Sequence, residues 1–520
     1  MNAFFISVPY LKGVAHLYYL ASMNRLYRFG VTLLLVVLWS ASADAQKVFD
    51  FNDRCRQAYH AILQLKLNDG QQLLNAEKAQ NPNNLIPCFL ENYIDFFTLF
   101  FNEDPAEYKK RLPNREKRLD LLADGPSNSP FQLLTRSVIH FQWAAVRVKF
   151  GNNWDAGWEF RRSFLQAKEN MQSFPGFSPN TLYLGALQVA AGTIPDGYKW
   201  LSNLLGINGS IKKGMARMDN FLQANDEWSV LFHDEAVFYY CYLKFYIQND
   251  KDGVFQFIEK QQLDVVNHHL FAYLAANLHL NNQQAEIAEQ IIAGRNPSPA
   301  YFSTPVWDME MGYAKLHHLD PSAAQYLERF LTTFKGRFYV KDILQKLSWY
   351  YYLQGDDVKA NACRLKILQT GSTDAEADKQ AQKEATTQDW PNKLLLQARL
   401  LNDGGYFHQA LALLHGKSTN NFSLPEEKLE FAYRAGRLYD DMGNDSLALV
   451  FYKQAIDLGR ERKEYFAARA ALQTGFIFEQ RGDKATAIQW FQRCMDMKDH
   501  DFKNSLDQRA KAGIARCKNE

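Results

Sequence analysis

Cysteine is scarce in this chain, with six residues in 520. That density rules out a disulfide scaffold. No C-x-x-C pair or metal-type Cys/His spacing occurs, so neither a redox motif nor a zinc site is expected, and no metal is assigned. Charge of one sign is also missing: 59 Lys and Arg stand against 57 Asp and Glu, a formal net charge of +2. The densest basic stretch, residues 109–118, is interrupted by Pro113 and Glu116 and reads as a solvated helix end. A nucleic-acid binder needs a concentrated basic stripe, so no nucleic-acid partner is expected. No sustained strand alternation occurs, which leaves an all-α chain.

Catalytic signatures are missing as well. There is no H-E-x-x-H and no G-x-S-x-G. The adjacent pairs His268-His269 and His317-His318 point about 100° apart on a helix, so they lack the i,i+4 geometry of a zinc site and read as surface or turn histidines. Gly206, Gly209 and Gly214 are spaced somewhat like a phosphate loop, but Met215 and Ala216 stand where Lys and Ser/Thr would be required. They read as structural glycines. Asp440 and Asp441 read as helix surface. No catalytic residue and no cofactor is assigned, and a non-enzymatic chain is expected.

The one compact apolar run near the N-terminus lies between residues 29 and 39, after Arg25 and Arg28 and before Ala43-Asp44-Ala45. Basic flank, short apolar core and A-x-A site are the parts of a secretory signal peptide. The run falls short of the roughly 20 residues that a membrane span needs. Cleavage after Ala45 is expected, with Met23 as an alternative start and no transmembrane span in the mature chain. No Cys follows the cleavage site, so no lipid anchor is implied. The chain is expected in the periplasm or at the outer membrane. An exported chain can form disulfides; Cys55–Cys88 and Cys494–Cys517 are the pairs to test against the simpler reading of buried thiols.

What the chain does contain is an echo at an offset of 39 residues. Gly436, Tyr439, Gly443, Ala448, Tyr452 and Ala455 are answered by Gly475, Phe478, Gly482, Ala487, Phe491 and Cys494. Such repetition means a helical hairpin copied and stacked. Gly436 and Ala448 are small where paired helices approach closely, Gly443 can end a helix in the left-handed conformation, and Asp445 or Ser446 can cap the next. Weaker copies lie at Gly405, Ala410 and Leu414, at Tyr351, Gly355 and Ala360 (with Asp356 or Asp357 as cap), and at Gly151, Ala156, Phe160 and Ser163. Residues 505–517 read as a polar capping helix.

This pattern resembles the tetratricopeptide repeat, whose Gly/Ala, aromatic, Gly, Ala, aromatic and Ala positions fall within about 34 residues. The resemblance implies an α-α superhelix. The expected organisation is an irregular tetratricopeptide-like array over 46–369, a polar connecting segment over 370–389, and regular C-terminal repeats over 390–520. Residues 181–218 and 339–355 also resemble segments of the eukaryotic inclusion-body clearance family of tetratricopeptide proteins, through a Leu-Leu-x-x-x-Gly core and a later Lys-Asp…Tyr/Leu-x-Gly helix. The export signal departs from that family, so its intracellular role does not carry over.

Aromatic residues make up 14% of the chain, enough either to pack helices together or to line a groove. In the repeat frame Tyr351 packs inward and Trp349 and Tyr352 face the groove. The same frame puts Asn392, Arg399, Asn402, Tyr433, Arg437, Asp440, Arg469 and Phe476 on the groove side. The expected role is a protein-protein interaction scaffold of the bacterial cell envelope holding a protein or peptide partner. The alternative is a glycan-binding protein that stacks sugars on groove aromatics.

Overall fold

A computed structural model describes residues 46–193, 206–387 and 389–518. The expected export signal over 1–45, and Leu204-Leu205 of the second resemblance, lie outside the described residues. Among the described residues the chain is all-α, with 25 helices packed in adjacent pairs and only one isolated bridge, between Val48 and Asn84.

The echo positions do the work that their size suggests. A Cβ added at Gly436 would sit 2.6 Å from the Tyr452 ring, and one at Gly475 would sit 2.5 Å from the Phe491 ring. Tyr452, Phe491, Ala448, Ala487, Ala455 and Cys494 are all fully buried. Gly443 and Gly482 adopt φ of 74° and 79°, ending the first helix of each pair. The cap of the second helix falls one residue earlier than the expected Asp445 or Ser446: the Asn444 side chain accepts the Leu447 N–H at 3.2 Å. The left-handed glycine turns the chain so sharply that the very next residue already flanks the helix. Asp356 and Asp483 occupy the same place in their own hairpins. The upstream copies are hairpins too: Pro130–Lys149 with Asn153–Ser173, Val340–Gln354 with Asp357–Gln369, and Lys393–Gly404 with Phe407–Leu414. Lys503–Lys518 closes the series, and Gly513 clasps the Phe491 ring from the other side.

First helices pack on first helices. The succession runs Ile86–Asn102, Pro130–Lys149, Pro179–Gly192, His233–Leu243, His269–Leu280 and Val306–His317. It then branches, because Val306–His317 touches both Val340–Gln354 and Lys393–Gly404. From Lys393–Gly404 it continues through Pro425–Asp441 and Phe466–Gln480 to Lys503–Lys518. Residues 370–389 supply Glu376–Thr386, a helix packed on Val340–Gln354. Its fully buried Asp378 accepts the N–H groups of Tyr339 at 2.7 Å and Asp342 at 3.0 Å.

One carboxylate organises the N-terminal helices. Glu235, 3% exposed, accepts the hydroxyls of Tyr59 (2.6 Å), Tyr93 (2.9 Å), Tyr183 (2.8 Å) and Tyr239 (2.8 Å). Tyr59, Tyr93 and Tyr183 come from three other helices, so a single buried carboxyl ties four segments together. The glycines that resembled a phosphate loop are structural: Gly206 turns the chain at φ 75°, and Gly214 faces Gly185, where a Cβ would stand 2.6 Å from the Gly185 carbonyl oxygen.

Two expectations are corrected and one open alternative is decided. The basic stretch 109–118 lies inside the helix Pro105–Ala123 and is not a helix end; Arg111 and Arg118 bind Asp95, and Arg115 binds Glu159 at 2.7 Å. The histidine pairs are not surface residues throughout. His268 and His269 are buried, the latter stacked on Tyr301 at 3.7 Å, because the loop 295–305 folds over them. The cysteines are all free thiols, five of them buried, which settles the alternative of Cys55–Cys88 and Cys494–Cys517 pairing in favour of thiols.

Candidate binding surface

The layer of first helices carries a band of polar side chains whose middle links the two halves of the chain. Gln283 donates to the Asn402 carbonyl at 3.0 Å and to the Asp441 carboxylate at 2.7 Å. A Cβ at Gly405 would collide with the Gln283 carbonyl, so glycine is needed for this approach. The same docking brings Lys251 within electrostatic reach of Asp441, Arg437 and Arg509.

The upstream end of the band is aromatic and acidic. The helical period places Glu310, Tyr313 and His317 on one face of Val306–His317, and Asp342, Lys346 and Trp349 on one face of Val340–Gln354. Tyr273 and Asn277 project from His269–Leu280, and Tyr242 and Tyr246 flank the start of a π-helical segment, Lys244–Gln248. Both of the last two hydroxyls donate to the Asn277 Oδ1, at 3.2 and 2.8 Å, and the Asn277 Nδ2 donates to Glu310 at 2.8 Å. Burial pushes the Glu310 carboxyl up to about 7, and only the Asn277 bond opposes it. Tyr313 donates to Asp342, whose other oxygen takes Lys346 at 3.1 Å. Tyr339 holds φ at 63°, a left-handed conformation that costs a bulky side chain roughly 1–2 kcal/mol. Its N–H bond to Asp378 keeps it there.

Downstream the band becomes a stripe of mixed charge. Arg437 binds Asp403 at 2.6 Å, and Arg399 lies 3.6 Å from the same carboxylate. Burial alone would raise the Asp403 pKa, but Arg437, Arg399 and His317 overcome it and hold the group well below the usual carboxylate range. Burial also pushes the His317 imidazole down to about 4, so it is neutral at pH 7. The last part is cationic. Among the described residues Arg469 and Arg509 form no ion pair, the Arg469 Nε has no hydrogen-bond partner, and the Arg509 guanidinium lies 5.6 Å from the Phe476 ring centre.

Of the residues expected on the groove, Arg399, Arg437 and Arg469 lie on this band with side chains partly open to solvent. Phe476 is half-buried against Phe491 at 5.3 Å. Asp440 is half-buried and accepts the Tyr452 hydroxyl at 2.8 Å. Asn392 caps its own helix and donates to Glu427 at 3.0 Å. Tyr352 is half-buried, stacked on Trp390 at 4.5 Å. Three assignments are corrected. Trp349 is 1% exposed and donates its indole N–H to Glu384 at 2.8 Å, because the helix Glu376–Thr386 covers the face expected to be open. Tyr433 is buried against Phe466, at 5.2 Å. Asn402 is buried by the docked Gln283 loop and donates to Asp441 at 2.7 Å.

Nothing periodic in the sequence marks Glu310, Asn277 or the tyrosines at 242, 246, 273, 313 and 339. One signal was available: Glu310 is a lone carboxylate between Met309 and Met311, on the face that its helix buries. Among the described residues no group of His, Cys, Asp and Glu is arranged to hold a metal ion, and no helix is long and apolar enough to cross a membrane. No family model and no curated protein matches the chain.

Proposed function

We propose that the chain is a non-enzymatic scaffold of the bacterial cell envelope, built from tetratricopeptide-type hairpins, which holds a protein or peptide partner on its layer of first helices. The observation that carries this reading is unspent polar capacity along one band. Arg469 and Arg509 have no ion-pair partner at one end, and Glu310 has a second carboxylate oxygen with no hydrogen bond at the other. Arg509 is exposed, Arg469 half-buried and Glu310 buried, and charged groups without a partner gain free energy when a ligand supplies their complement. The envelope location rests on the signal-like residues 25–45. Trp349 and Tyr433 are buried and offer no sugar-stacking platform, so the glycan reading keeps only Tyr352 and Phe476 of its groove aromatics.

The test is cross-linking capture from the native envelope. The wild-type chain should retain a discrete protein partner, and the double substitution Arg469→Glu with Arg509→Glu should release it while thermal stability is kept. Turnover of an envelope substrate with no partner retained would overturn the proposal.

A further inference from the structure

The acidic-aromatic end of the band has a composition that the scaffold role does not explain. Glu310 is 1% exposed, yet only one of its oxygens has a hydrogen-bond partner, Asn277. The neighbouring charges are already neutralised. Asp342 has Lys346 at 3.1 Å, and Lys149, which approaches the Tyr339 ring, has Glu103 at 2.8 Å. Among the described residues Glu310 is therefore left without a counter-ion. Around it stand Tyr242, Tyr246, Tyr273, Tyr313 and Tyr339, each close enough to feel its charge. These phenols are half-buried or exposed and are not sealed in the core. Tyr339 is held there in a left-handed backbone conformation by Asp378.

A buried carboxylate with an unused oxygen, within electrostatic reach of five tyrosines, has a cation as its chemical complement. Aromatic faces attract cations through the ring quadrupole, and the attraction grows when water is excluded. A carboxylate adds a charge-assisted hydrogen bond to an ammonium or guanidinium group. We propose that Glu310 and these five tyrosines form a cage for a lysine or arginine side chain presented by the partner polypeptide. The source of the cation rests on the scaffold reading; the cage itself does not.

The experiment is calorimetric titration of the purified protein with three acetylated, amidated tripeptides, Gly-Lys-Gly, Gly-Arg-Gly and Gly-norleucine-Gly, and with maltoheptaose. The two cationic peptides should bind at least about tenfold more tightly than the norleucine peptide. Glu310→Gln, which keeps the volume and removes the charge, should erase that preference while the thermal midpoint stays at or above wild type. Tyr273→Leu should weaken the cationic peptides without changing the norleucine peptide.

Binding needs the ionised carboxylate, and the free group titrates at about 7. Affinity for the lysine peptide should therefore fall about tenfold from pH 8 to pH 6 in the wild type, and stay flat in Glu310→Gln. The tyrosines are neutral throughout that range. Equal binding of all three peptides, no binding at millimolar concentration, an unaffected Glu310→Gln variant, or binding of maltoheptaose alone would each overturn the cage. Failure of the scaffold reading looks different: cationic peptides would bind, but no envelope protein would be captured. Failure of the cage alone would leave capture intact in Glu310→Gln.

Discussion

The Glu235 knot permits a quantitative test of whether its carboxylate is charged and shared. Tyr59→Phe removes one hydroxyl from a fully buried ring and leaves the packing unchanged. In the wild type that hydroxyl donates to a carboxylate at 2.6 Å. A hydrogen bond to a charged group contributes about 1.5–3 kcal/mol, against about 1 kcal/mol for a neutral pair. Tyr59→Phe should therefore cost roughly 2 kcal/mol. Glu235→Gln keeps the shape and removes the charge. Its amide oxygen can still accept two phenols, and its NH2 can donate to a third. The bonds lost are offset by relief of charge burial, and a net cost of about 1–3 kcal/mol follows. In the Gln background Tyr59→Phe removes only a neutral bond and should cost about 1 kcal/mol. The cycle thus predicts a coupling of roughly 1 kcal/mol, above the usual additivity error of about 0.3–0.5 kcal/mol. Urea unfolding at pH 7.5, followed by near-ultraviolet circular dichroism, measures all four variants. Unchanged m values verify that one transition is being compared. Burial raises the Glu235 pKa against the four phenol bonds, so the coupling should shrink as the pH falls and the group protonates. Additive costs at pH 7.5 would refute the charged, shared carboxylate.

Glycine substitutions separate packing from propensity. Gly475→Ala gains about 1 kcal/mol of helix propensity but overpacks Phe491, which Gly513 holds from behind; overpacking costs about 1–3 kcal/mol, so the melting temperature should fall. Gly157→Ala meets no atom within 4 Å and should raise it, and the opposite order in a thermal melt would refute the clasp. The raised carboxyls set a pH dependence. Burial lifts Glu310 from 4.5 to about 7 and Asp378 from 3.8 to about 6. Between the unfolded and folded values the native state holds the extra protons, so their stability contribution is full at pH 4 and is lost as the pH rises to about 7. Glu310→Gln should flatten this slope by on the order of 2–3 kcal/mol, measured by urea unfolding at pH 5 and pH 7.5. Finally, burial pushes the Cys55, Cys241 and Cys494 thiols up to about 12. A thiol-specific chromogenic reagent should label none of these three in the native protein and all six cysteines in denaturant; rapid native labelling of Cys494 would contradict its place in the repeat.

Local rules carried the reading a long way in the C-terminal repeats. Gly436, Gly475, Ala448 and Ala487 are small for a reason that involves only the next helix in sequence, so spacing alone revealed them. The caps were read to within one residue for the same reason. Trp349 failed because its exposure depends on the helix Glu376–Thr386, which follows the hairpin and folds back over it. The helical repeat frame assumes that nothing covers the first-helix face, and here something does.

Near-neighbour patterning specifies the class of the molecule: helices ended by left-handed glycines, paired through small-to-aromatic contacts, and stacked in order. Those contacts lie within about 40 residues of chain and recur. Which polar groups meet depends instead on contacts between distant parts of the chain. Tyr59 reaches Glu235 across 176 residues, Gln283 reaches Asp441 across 158, and Glu310 gathers tyrosines from residues 242 to 339. A lone carboxylate on an apolar helix face has no periodic partner, so its role is set by the path of the whole chain. The polar band is continuous because the Gln283 loop docks on Asn402 and Asp441, far along the chain.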